Sequence, residues 1–73
     1  MKEFILVEKF EEDGNTREVV IPTNQIASIE EVEDKDDFSS RIWLNEYNIA
    51  VMGNTFCVKG KPSDIYNKMD DKE

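Results

Sequence analysis

Seventy-three residues with seventeen Asp plus Glu against nine Lys plus Arg carry a formal net charge of -8, the opposite of what a surface built to neutralise nucleic-acid phosphates requires. That length allows one small domain, residues 1–73, with a thin core, and the single cysteine, Cys57, excludes an intrachain disulfide. No histidine is present, so the commonest general base and metal ligand is missing.

Residues 3–10 alternate Phe4, Leu6 and Phe10 on one side with Ile5 and Val7 on the other, the period of a β-strand. The longest apolar runs, such as residues 4–7, fall far below the about 20 residues of a membrane helix. No signal-peptide pattern is expected at the start, and a cytoplasmic location is the expectation. Asp13, Gly14 and Asn15 then tolerate positive φ and predict a hairpin loop. A second strand spans residues 17–21 and ends at Pro22, which cannot donate to a ladder. A turn at Asn24 and Gln25 leads into a strand over residues 27–32.

Six of the eight residues from 30 to 37 are carboxylates, Glu30, Glu31, Glu33, Asp34, Asp36 and Asp37, with Lys35 among them. An acidic loop is expected over about residues 33–40. Residues 41–45 alternate again, with Ile42 and Leu44 inward and Arg41, Trp43 and Asn45 outward. Residues 48–52 and 55–59 read as strands joined by a two-residue hairpin at Gly53 and Asn54, glycine supplying the φ of a primed turn. Gly60 closes the last strand, Pro62 suits the first turn of a helix over residues 62–69, and Ile65 and Met69 form its apolar stripe. Residues 70–73 are expected to fray.

These elements predict a mainly β fold. It would be a small antiparallel SH3-like or Sm-like barrel of five or six strands, or a bent sheet, with one short C-terminal helix. Such a sheet is expected to curl so as to hide both apolar sides of the first strand.

Asn24, the run Ile26, Ala27, Ser28, Ile29 and Glu30, the triplet Ile42, Trp43 and Leu44, the pair Val58 and Lys59, and the helix through Ile65 and Met69 follow one another in a familiar order. In this order the chain resembles the small flagellar regulatory proteins of the FlbD type. The resemblance implies a small barrel-like fold with a C-terminal helix. The chain departs from it in the acidic loop, in residues 45–54, and at Gly60, Lys61 and Pro62.

Catalytic equipment is sparse. Cys57 has no histidine to activate it, and between Phe56 and Val58 it reads as a small buried thiol. Ser28, Ser39, Ser40 and Ser63 have no base at a recognisable spacing, and no phosphate-cradling glycine motif occurs. The acidic run lacks the spacing, glycine and terminal glutamate of an EF-hand, so a solvated loop outweighs a metal site. No catalytic, cofactor-binding or metal-binding residue is assigned, and no cofactor is expected. Trp43 is a core or helix-packing residue in one reading and a partner anchor in the other.

The expected function is therefore a non-enzymatic protein–protein interaction module. Its partner would be another protein with a basic surface, or a second copy of the chain. Glu30, Glu31, Glu33, Asp34, Asp36, Asp37, Trp43 and Tyr47 are the candidate contacts. The alternative is an acidic inhibitor, similar to phage-encoded accessory proteins, that occupies the basic nucleic-acid-binding groove of a target enzyme. A small enzyme or ligand-binding protein has the least support.

Overall fold

Alternation of apolar and polar residues generates five strands in the computed structural model, which describes residues 2–32 and 39–70. They are β1 (Phe4–Phe10), β2 (Thr16–Pro22), β3 (Ile26–Val32), β4 (Ser39–Asn48) and β5 (Gly53–Lys59). A 3-10 turn at Thr23–Gln25 joins β2 to β3, and one helix, α1 (Pro62–Met69), follows β5. Every strand pairing is antiparallel, in the order β2-β1-β5-β4-β3.

That order leaves β2 and β3 as the two edges, so the sheet is open and its pairing does not close into a barrel. The reason lies at the junction between the two edge strands. Pro22 has no N–H for a ladder. The next residue, Thr23, gives its N–H to Glu3 O at 2.9 Å and its hydroxyl to Lys2 O. The chain is thereby tied to the start of β1 and turns away instead of folding back on β2.

The inner side of the sheet follows the period of two. Ile5 and Val7 from β1, Val19 and Ile21 from β2, Ile42 and Leu44 from β4, and Phe56 and Val58 from β5 are all buried. Helix α1 lowers Ile65 and Met69 into the same cluster. It touches both β1 and β3, strands separated by two others in the sheet, so the sheet wraps around the helix. Each fully buried aliphatic side chain, such as Ile42 or Ile65, contributes about 1.5–3 kcal/mol of transfer free energy.

The expected helix starts where Pro62 placed it. Asp64 Oδ2 accepts the Lys61 N–H at 3.3 Å, and Lys68 stands in the last turn, so both charges favour the helix dipole. The Lys68 ammonium also donates to Leu6 O at 3.1 Å, while the Lys2 N–H bonds Met69 O at 3.0 Å. Gly60 enters the helix with φ +110°, a conformation open to glycine and strained for other residues. Among the described residues no helix is long and apolar enough to cross a membrane.

Four sequence expectations need correction. First, the sheet hides only one apolar side of β1: Phe4 and Leu6 stay exposed, because the helix covers the opposite face. Second, Gly53 and Asn54 belong to β5, and the hairpin turn is residues 49–52. Asn48 starts that turn by accepting the Ala50 N–H on its side chain at 2.8 Å, which ends the strand before Ile49. Third, Cys57 is half-buried on the outer face, since alternation that points Phe56 and Val58 inward must turn the residue between them outward. Fourth, Ser39 and Ser40 belong to β4 and not to an acidic loop, Ser40 being fully buried with its hydroxyl donated to Gly60 O at 2.7 Å. The remainder of that loop, residues 33–38, lies outside the described residues.

Candidate contact surfaces

Glu30 and Glu31 are exposed on edge strand β3, and Trp43 is partly exposed on the outer side of β4. The register sets Ser28 opposite Trp43 and Glu30 opposite Arg41. Glu30 and Trp43 are therefore diagonal neighbours, and the indole N–H donates to Glu30 Oε1 at 2.9 Å. Arg41 approaches Cys57 Sγ at 4.0 Å on the same face. The structure thus brings together Glu30 and Trp43 from the predicted set. Tyr47 stands apart, exposed near the far end of β4. Glu33, Asp34, Asp36 and Asp37 lie outside the described residues.

Tyr47 comes just before an exposed turn at residues 49–52. Besides holding Ala50, the Asn48 side chain donates to Gln25 Oε1 at 2.9 Å. Val51 and Met52 return N–H bonds to Asn48 O and Ile49 O, both at 3.3 Å. Arg17 reaches across from β2 to donate to Ala50 O at 3.1 Å. Val51 is buried and anchors the turn in the core. With its backbone held at so many points, the turn projects Ile49 and Met52 outward, 83% and 79% exposed. Met52 sits at φ +54°, in the left-handed region that ordinary side chains seldom occupy.

Charge around this turn is organised by Glu11. Its carboxylate accepts from Lys9 Nζ at 2.6 Å and from Arg17 Nε at 2.8 Å. Those two hydrogen bonds, Lys9's first and Arg17's second, hold its pKa below the ordinary carboxylate value. Arg17 therefore links the β1–β2 loop to the β4–β5 turn. Between them lies an open hollow of about 540 Å³, lined by Lys9, Phe10, Glu11, Glu12, Asp13, Val51 and Met52.

A second apolar surface lies on the outer side of the β1–β2 hairpin. Leu6 faces Val20 across the strands and Phe4 faces Pro22, with Phe4, Leu6 and Val20 55%, 46% and 55% exposed. Sequence reasoning selected Trp43 and Tyr47 but missed Ile49, Met52, Phe4, Leu6 and Val20. Asn48 carried a usable signal, because asparagine initiates Asx turns and an apolar residue placed just after one is exposed on a loop.

Among the described residues no three of His, Cys, Asp and Glu are placed to hold a metal ion, and no buried side-chain polar atom lacks a partner. No family model, curated protein or solved structure matches the chain.

Proposed function

We propose that the chain is a non-enzymatic protein-binding module that docks through the turn carrying Ile49 and Met52, with Tyr47 beside it. The observation that carries this reading is the exposure of two large apolar side chains on a backbone fixed at Ala50, whose N–H is accepted by Asn48 and whose carbonyl receives Arg17. A rigid turn loses little conformational entropy on docking, so its apolar area converts more fully into affinity. Glu12, Asp13 and Glu46 flank the turn in sequence or across the hollow, which suits a partner with an apolar pocket rimmed by Lys and Arg. The strand order, with α1 bridging β1 and β3, supports viewing the scaffold as an SH3-like sheet left open between its edge strands.

The test compares the protein with an Ile49→Ser/Met52→Ser variant as immobilised bait in extract from its own cells. Both positions are solvent-exposed, so folding is expected to be retained, which circular dichroism checks. A partner captured by the wild type and lost by the variant, with little change between low and moderate salt, supports the reading. A partner that the variant retains and salt removes would shift the contact to Glu30 and Glu31, as the acidic-inhibitor alternative requires.

A further inference from the structure

We propose that the outer face of the β1–β2 hairpin binds a second copy of this chain, the two sheets stacking face to face about a dyad that runs across the strands at the level of Ile5. The face is separate from the turn at residues 49–52 and opposite the core. It presents two successive cross-strand rows that are wholly apolar, Phe4 with Pro22 and Leu6 with Val20, and no helix covers it. The next row places Glu8 directly opposite Glu18. Like charges facing each other across a ladder destabilise it, and neither glutamate has an ion-pair partner among the described residues.

A positive group stands at the other end of the same face. Lys2 is exposed and lines the two hollows on either side of Phe4. Glu3 shares one of those hollows and the exposed Lys68 of α1 the other, so the hairpin face is acidic at the Glu8 and Glu18 end, apolar in the middle and net basic toward Lys2. A twofold axis at Ile5 superposes these ends with opposite sign. Along β1 it sets Phe4 of each copy over Leu6 of the other, and it brings Lys2, which precedes the strand, toward the Glu8 end of the other copy. Along β2 it sets Val20 over Pro22. An isologous interface demands this kind of self-complementarity, in which each residue meets its counterpart's partner twice. A second copy also supplies the burial that a 73-residue chain lacks.

Sedimentation equilibrium from about 10 µM to about 1 mM protein, at a salt concentration of about 0.15 M that screens the net charge, tests the proposal. The wild type is expected to dimerise within that range. Leu6→Ser should weaken the dimer at least about tenfold, because it removes two contacts per interface. Lys2→Glu and Glu8→Lys should each weaken it, and the double variant Lys2→Glu/Glu8→Lys should restore it, since the swap regenerates both ion pairs. The charge variants alter exposed side chains, so they keep the test valid if Leu6→Ser disturbs folding. A chain that stays monomeric at every concentration overturns the proposal. So does a double variant as weak as the singles, or a dimer abolished by Ile49→Ser/Met52→Ser.

Discussion

Glu11 shows how one residue can serve two loops. Its carboxylate receives Lys9 from its own strand and Arg17 from the next, and Arg17 in turn holds the carbonyl of Ala50. Because the folded pKa lies below the ordinary value of 4.5, the stabilisation is present above that value and is lost as pH falls through the lower, folded one. Glu11→Gln should accordingly melt at a lower temperature than the wild type at neutral pH, and the gap should narrow steadily as pH drops below about 4.5. A pH series of thermal melts checks this, and a gap that widens in acid would refute it. Cys57 offers a second contrast at this scale. As a half-buried thiol on the outer face, it should react with a thiol reagent in the native state. Cys57→Ser should cost less than about 1 kcal/mol, whereas Ile42→Ala in the core should cost about 2–5 kcal/mol. Urea denaturation of the two variants gives the comparison directly.

Strands and turns set a different kind of trade-off. Met52 occupies the left-handed region with a bulky side chain, a conformation that costs of order 1 kcal/mol outside glycine. Met52→Gly should therefore raise stability by up to about 1 kcal/mol, the relieved backbone outweighing glycine's greater freedom in the unfolded chain. In the proposed function the same change weakens partner binding, since it deletes one of the two exposed anchors. A variant that is both more stable and equally able to bind would argue against the turn as the contact. The buried Ser40 hydroxyl donates to Gly60 O at 2.7 Å and ties β4 to the segment that enters α1. Ser40→Ala strands that carbonyl and should cost about 1–3 kcal/mol in a urea titration.

At the scale of the whole molecule, a net charge of -8 works against compaction, because like charges repel throughout the folded surface. Raising salt to about 0.15 M should increase the melting temperature, as screening acts mainly on exposed carboxylates. The ion pairs that Lys9 and Arg17 make with Glu11 are screened as well, but a net charge of -8 sets the sign of the effect. A melting temperature that falls with salt would mean that specific pairs dominate over the net repulsion. The open sheet carries the same theme into architecture. With β2 and β3 unpaired as edges, the fold depends on the helix stripe of Ile65 and Met69 to hold the two ends of the sheet together.

Much of this was legible in the residues, for a local reason. Strand alternation in β1, β2 and β4, the glycine loop at Gly14, and the helix start at Pro62 are each determined by the backbone preferences of neighbouring residues, so they could be read in chain order. Ile65 and Met69 were recognisable as the buried stripe because four residues bring a helix back to one face. Tertiary structure alone decided which of two apolar sides of β1 would be covered, since alternation defines two faces and only the landing place of α1 chooses between them. The β4–β5 turn has both origins: residues 48–52 suit a strand by composition, Asn48 carries a local turn signal, and Gln25 and Arg17, distant in sequence, hold Asn48 and Ala50 in the bend. The exposed groups proposed to meet partners follow from these two features. Their apolar character was written in the sequence, and their exposure was conferred by contacts made elsewhere in the fold.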